Sequence, residues 1–249
     1  MLGSDKTDIN SNGRAKSAML LHLSADRSRG ALLSVPADIP VDIPACSAAD
    51  GTRTRPQKAP FNLAFQVGGA ACSIRTFEKL SGVRVDHYVV ADACGFEKMV
   101  DAIHGVDLQV DERIYDPETD IALEPGRQKL NGAQALVYAR TRQGVGDGTE
   151  LNRMRRQQYF MKVLVDSIVD TATARPDRVY RMLDAATGAL TVDPGLDSLS
   201  KLYRLWDDVQ GISSAHTQYR VLPELNSELV QPKANDLFGQ LRDDKELSL

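Results

Sequence analysis

Cysteine, aromatic side chains, long apolar runs and excess positive charge are all scarce in this chain. Its three cysteines, Cys46, Cys72 and Cys94, include no CxxC pair and lack the number and spacing of a zinc site. They fit one disulfide plus one thiol in an oxidising compartment, or three thiols in a reducing one. No stretch approaches the roughly 20 apolar residues that span a bilayer. Met1-Leu2 runs straight into polar Gly3-Ser4-Asp5, which is no secretory signal. So abrupt a start leads us to expect an upstream segment outside these residues. The formal net charge is −4, which disfavours a general nucleic-acid binder. GxxxxGK[ST], GxGxxG after a strand, GxSxG and HExxH are all absent. The four histidines, His22, His87, His104 and His216, are scattered, which argues against a histidine-centred metal or catalytic site.

What is present is a local concentration of arginine. Arg140, Arg142, Arg153, Arg155 and Arg156 fall within seventeen residues, in VYARTRQGVGDGTELNRMRRQQY from Val137 to Tyr159. Guanidinium groups are planar forks of donors that match phosphate oxygens and stay charged at any cellular pH. Half on a strand and half on a helix start, such a cluster suggests a site for a multiply charged phosphate. The alternative is a solvated helix face paired with Asp147, Glu150 and Asp166. Charge alone leaves both open.

The rest of the chain alternates between strand and helix signals, without repeats. Ala18–Leu23 and Gly30–Val35 are apolar runs flanking a polar turn, the pattern of an antiparallel hairpin buried on both faces. Residues 36–60, rich in Pro, Ala, Ser and Gly, read as a long excursion loop. Helical spacing is expected from Ala70 to Leu80, ending at Gly82, and from Gly95 to Ile103. Strands are expected at His87–Ala91, Val106–Val110 and Ala135–Ala139. From Glu150 onward Phe160, Val163, Leu164 and Ile168 form a helical stripe, with Arg153, Arg156 and Gln157 near its start. Leu196, Leu199, Leu202, Tyr203, Trp206 and Val209 make a second amphipathic helix. A strand at Gln218–Leu222 and a weaker helix at Asn235–Arg242 close the chain. This reads as one α/β domain over residues 1–249, a mixed sheet covered by helices.

The N-terminal loop, GSDKTDINSNGRAKS, is the second informative region. Asp5 and Asp8 suit a hard divalent cation, since Mg²⁺ sites use one or two carboxylates with substrate phosphate. An Asn/Asp/Gly loop before a strand is more often simply a turn. Arg14 and Lys16 at its end are either part of a cationic surface or a solvated edge.

Taken in order, GSD (3–5), Arg14, SVPAD (34–38), FNLAFQVGG (61–69), GVRVDHYVVAD (82–92), VDAIHGVDLQV (100–110), LNGAQALVYARTR (130–142) and ELNRMRRQQ (150–158) resemble the LytR-CpsA-Psr (LCP) family of bacterial cell-envelope proteins. The resemblance covers nearly the whole chain. It implies an α/β/α sandwich with a central mixed sheet and an apolar lipid tunnel. It also implies an extracytoplasmic location with one N-terminal transmembrane anchor, here missing. The implied activity is a phosphotransferase that moves a glycopolymer from a polyprenyl-pyrophosphate carrier onto peptidoglycan. Mg²⁺ is the implied cofactor; polyprenyl-linked glycopolymer and the peptidoglycan acceptor are the implied partners.

Carried over by position, Arg14, Arg140, Arg142 and Arg153 match the family's pyrophosphate-binding arginines, with Arg140, Arg142 and Arg153 as the catalytic core. Gln157 matches a glutamine near the same group, and Asp5 matches one of two metal aspartates. Arg155 and Arg156 extend the cationic surface in support. Three positions depart from the pattern: Lys16 replaces the second metal aspartate, Ala37 replaces a phosphate-binding arginine, and Glu150 replaces an aspartate three residues before Arg153. The first two weaken the case for Mg²⁺ and for efficient transfer. The Lys16 ammonium offers a stand-in for the metal's charge, and a paralogue that binds the carrier without transfer is the alternative. Outside the cytoplasm, a Cys46–Cys72 disulfide would pin the excursion loop, leaving Cys94 a buried free thiol. The family's older label of transcriptional attenuator is disfavoured, because basic charge is confined to one locus and no helix-turn-helix pattern is present.

Overall fold

A computed structural model describes residues 2–4, 15–48, 50–142, 145–174, 183–184, 187–212 and 214–248. They group into two compact units, each with its own apolar core. The first comprises Met1–Asp92, Thr191–Gly195 and Thr217–Leu249, and the second Ala93–Leu190 and Leu196–His216.

The first unit is built on a mixed sheet of six strands. In chain order they are β1 (Leu2–Ser4), β2 (Ala15–Leu23), β3 (Gly30–Val35), β6 (Val89–Ala91), β11 (Thr191–Val192) and β12 (Thr217–Val221). In space they run β11-β6-β1-β2-β3-β12. β2 and β3 form the expected antiparallel hairpin, with Ala18 opposite Val35 and Leu23 opposite Gly30. Every residue of β3 is buried, as an uninterrupted apolar run requires. β2 differs from expectation: it is only half covered, and Leu21 is exposed. β12 lies parallel to β3 at one edge. Beyond it the chain end is tied down: Gln218 Oε1 accepts from Leu247 N at 2.6 Å, Arg220 donates to Leu247 O at 3.0 Å, and the Leu247 side chain is buried.

The expected excursion loop holds a second ladder. β4 (Pro40–Ile43) pairs antiparallel with β5 (Gln57–Pro60), and Ile39, Val41 and Ile43 point alternately into the core. Their period of two was hidden among prolines and alanines. Cys46 and Cys72 are joined by a disulfide that closes this excursion onto α1 (Phe61–Ser81). α1 breaks at Gly68 and Gly69, where Gly69 has φ of 62°. A Cβ on Gly68 would sit 2.8 Å from Cys72 Cβ and 2.9 Å from Ser47 O, so glycine lets the disulfide loop approach the helix. α1 ends where the sequence places its stop: Gly82, left-handed at φ 65°, donates its N–H to Glu78 O. Phe77 of α1 meets Phe238 of α6 (Gln231–Arg242) edge to face at 6.1 Å.

In the second unit α2 (Ala93–Ala102) leads to β7 (Val106–Val110), which pairs antiparallel with β10 (Gly126–Leu130). β8 (Ile114–Asp116) and β9 (Ile121–Leu123) form a small hairpin between them. Then come α3 (Gly132–Arg140), α4 (Glu150–Ala174) and α5 (Leu199–Val209). Val106, Leu108, Val110, Leu130, Tyr138, Phe160 and Leu164 fill the core, with the Phe96 ring 5.3 Å from that of Phe160 and tilted 40° to it.

Two readings are corrected in this unit. Ala135–Ala139 is helical, not a strand. Cys94 is exposed, because positions 94, 98 and 101 share the outward face of α2 while Phe96, Met99, Val100 and Ile103 face inward. The strongly amphipathic α5 has no fully buried residue. Among the described residues no helix is long and apolar enough to cross a membrane.

Candidate functional site

The arginine cluster sits where α3 ends and α4 begins. α3 starts on a capping box. Asn131 Oδ1 accepts from Gln134 N at 3.0 Å, and Gln134 Oε1 accepts from Asn131 N at 3.1 Å. A Cβ on Gly132 would collide with Glu97 O, so α3 approaches α2 closely through glycine. Thr141 ends the helix, its N–H and hydroxyl both directed at Val137 O. Arg140 is therefore the last helical residue, and Arg142 follows the stop.

α4 begins on a similar device. Asp147 Oδ1 accepts from the N–H and hydroxyl of Thr149, and Thr149 Oγ1 accepts from Asn152 N at 3.2 Å. The Thr149 hydroxyl, then its N–H, hold the Asp147 carboxyl below its usual range. With that start fixed, Glu150, Arg153, Arg156 and Gln157 fall on one face at i, i+3, i+6 and i+7.

Arg156 and Gln157 serve the end of α3. A helix leaves its last carbonyls without internal partners. Arg156 Nε donates to Tyr138 O at 2.8 Å, its Nη2 donates to Thr141 O, and Gln157 Nε2 donates to Ala139 O at 2.9 Å. The Arg156 guanidinium also lies 5.7 Å from the Tyr138 ring centroid. Burial lowers the Arg156 pKa and pushes the Tyr138 hydroxyl above its ordinary range. These two side chains weld α4 to α3.

The other arginines meet carboxylates. Arg140 Nη2 donates to Asp116 Oδ2, with Glu118 Oε2 3.4 Å away. Burial opposes ionisation of Asp116, but donors from Arg140, Thr119 and Glu118 N outweigh it and keep the carboxyl below its usual range. Glu150 takes both remaining forks. Its Oε1 accepts from Arg153 Nη2, and its Oε2 accepts from Arg153 Nε at 3.0 Å and from Arg142 Nη2. Side-chain exposure falls from 47% at Arg142 to 16% at Glu150 and 6% at Arg153.

Both sequence alternatives therefore hold a part. Glu150 does pair with the arginines, yet Arg153 is buried and no solvated residue. Asp147 caps α4 instead of pairing with the cluster, and Asp166 accepts from Ser214 Oγ at 2.7 Å. Arg155 is exposed. Arg142 and Arg153 are brought together on Glu150, Arg140 is held by Asp116, and Gln157 is directed at the end of α3. Sequence reasoning missed Asp116 and Tyr138, since nothing in YDPETD distinguishes Asp116 before its partner 24 residues away is placed. Asp5, Asp8 and Arg14 lie outside the described residues.

The first unit holds two of the three altered positions. Lys16 is exposed in β2, and Ala37 is buried with its O accepting from Asn62 N at 2.9 Å. Asn62 Nδ2 donates to Asp38 at 3.2 Å, while its buried Oδ1 has no partner among the described residues. Among the described residues no group of three or more His, Cys, Asp or Glu is placed to hold a metal ion. The carboxylates expected to hold Mg²⁺, Asp5 and Asp8, are not among these residues.

Residues 1–242 match the LytR_cpsA_psr family. The chain is 35% identical over 195 residues to the probable cell wall biosynthesis protein LcpB of Corynebacterium glutamicum, covering 78% of this chain and 44% of that protein. It spans less than half the length of the curated relatives it matches. Among solved structures, the LytR-Csp2A-Psr enzyme from Actinomyces oris superposes with a TM-score of 0.77 at 20% identity, over 96% of this chain and 87% of that one. TagT bound to LI-WTA superposes with a TM-score of 0.72 at 21% identity, over 98% and 88%. At these identities the likeness is one of fold.

Proposed function

Because the chain belongs to the LytR-CpsA-Psr family, we propose that it is a phosphotransferase of cell-wall assembly, moving a glycopolymer from a polyprenyl-pyrophosphate carrier onto peptidoglycan at the outer face of the bacterial membrane. One observation supports this reading: Arg142 and Arg153 share the Glu150 carboxylate beside the end of α3, where Arg140 is held by Asp116. A pyrophosphate there meets planar donors that need no reorganisation, which favours phosphoryl transfer by positioning and charge neutralisation. In this reading the polyprenyl tail lies in an apolar tunnel, and a membrane anchor precedes the domain. An acceptor hydroxyl attacks the phosphorus that bears the glycan, a phosphodiester forms, and the bridging P–O bond breaks. Polyprenyl monophosphate leaves and takes up the hydroxyl proton. The family pattern's second metal aspartate is Lys16 in this chain, and this reading routes no step through Mg²⁺.

A second reading, a paralogue that binds the lipid pyrophosphate without efficient transfer, is favoured by Lys16 and Ala37. Native mass spectrometry of the purified chain, followed by incubation with a lipid-linked glycan analogue and a peptidoglycan fragment, separates the two. Retained polyprenyl phosphate with release of polyprenyl monophosphate supports transfer. Retention without release supports binding alone, and the absence of both refutes the family-derived activity. Lys16→Asp combined with Ala37→Arg tests the departures: no gain in Mg²⁺ affinity or in release sinks their assigned cost.

A further inference from the structure

The disulfide-closed excursion of the first unit carries charge as well as shape. The register that pairs Pro40 with Pro60 and Ile43 with Gln57 recurs where Ser47 bridges Arg53, so residues 40–48 and 52–60 are the two arms of one hairpin. Arg53, Arg55 and Lys58 are exposed on the returning arm. Arg75, exposed on α1 one turn beyond Cys72, adds a fourth cation. Its Nη1 donates to Ala45 O at 3.0 Å, and the register sets Ala45 opposite Arg55. Among the described residues none of the four has a carboxylate at ion-pairing distance. The hairpin has two carboxylates of its own. Asp42 stands opposite Lys58, and Asp50 is turned onto the Thr52 N–H and hydroxyl at 2.9 and 2.7 Å.

A local excess of positive charge in a chain of net charge −4 draws anions to that place. Guanidinium forks match phosphate and carboxylate oxygens alike. Arg53 and Arg55 are two residues apart on an extended arm, roughly 6.6 Å along the chain, so a ligand that meets both must present several anionic groups. Among the described residues no large apolar side chain is exposed on the hairpin, whereas binding to a lipid surface joins cations to inserted apolar groups. The Cys46–Cys72 disulfide and the Arg75–Ala45 bond fix the hairpin on α1 before any ligand arrives, which lowers the ordering cost of binding. We propose that this hairpin docks a linear polyanion, a polymer with phosphate or carboxylate groups along its chain, through Arg53, Arg55, Lys58 and Arg75. The surface belongs to the first unit alone and does not rest on the reading of the arginine cluster in the second.

The experiment measures binding of the whole chain to inorganic polyphosphate, to polyglutamate, and to vesicles of neutral or anionic phospholipid, at several salt concentrations. Binding to at least one soluble polymer is expected, and it should weaken as salt rises. The polymer held more tightly identifies the anionic group. Arg53→Gln with Arg55→Gln should weaken that binding roughly 2- to 30-fold. Arg84→Gln with Arg113→Gln removes the same charge from exposed sites elsewhere and should leave binding nearly unchanged. Thermal unfolding shows whether each variant folds, and Lys58→Gln carries the test if the first pair does not. Undiminished binding by the hairpin variant, or equal losses in both double variants, overturns the proposal. So does a parent chain that binds neither polymer, or that binds anionic vesicles alone.

Discussion

The two units close their least regular stretches by different chemistry. The first ties residues 44–56 to a broken helix with the Cys46–Cys72 disulfide, set in an apolar core with Ile39, Ile43, Phe61 and Phe65. The second joins α3 to α4 with Arg156 and Gln157 on helix carbonyls, and fixes its loop arginines on Asp116 and Glu150. A covalent tie is indifferent to pH and salt but not to reductant. Guanidinium on carbonyl is indifferent to reductant and to pH. Guanidinium on carboxylate fails in acid. Each closure therefore has its own point of attack.

The largest effect is expected from the covalent one. Replacing Cys46 and Cys72 by Ser, or adding reductant, releases a loop with a sequence separation of 26. That costs about 3–4 kcal/mol, read as a lower urea midpoint. Arg156→Ala should come next, at about 2–3 kcal/mol, since it strips two carbonyls of a charged donor. Its loss should be the same with and without reductant; a reductant-dependent loss would couple the two closures.

Asp116→Asn should cost about 1–2 kcal/mol at neutral pH by removing the charge opposite Arg140. The folded-state pKa of Asp116 lies below its ordinary value near 3.9, so its contribution is complete above that value and disappears as pH falls through the folded pKa. Urea midpoints measured from pH 7 down to pH 3 should therefore decline less steeply in the variant. Parallel curves would show that the pair contributes nothing. Asn131→Ala, which opens the capping box of α3, should cost about 1 kcal/mol by the same measurement.

Much of the first unit was legible in the sequence because its signals are local. The apolar runs 18–23 and 30–35 fix their own register through a short turn, and Gly82 announces a helix end. β4 was less legible, since Pro40 and Pro44 disguise the alternation of Ile39, Val41 and Ile43. In the second unit AQALVYA looked like a buried strand because a short apolar run has no distinguishing period. The Asn131–Gln134 spacing, a capping-box signature, was the signal that named it a helix. The arginines were legible by type and number, but their division of labour was not. Which guanidinium meets Asp116, which meets Glu150 and which caps α3 depends on the packing of α4 beside α3, information that resides in contacts and not in spacing.

Leu247 has a practical consequence. The family pattern ends at residue 242, yet five residues further on Leu247 is buried, with its backbone tied to Gln218 and Arg220 of the edge strand β12. A protein cut at Arg242 would keep every family motif and lose the cover of that edge. An uncovered strand edge is a template for pairing with a neighbouring molecule. Self-association, not loss of the arginine site, is therefore the defect such a shortened protein should show.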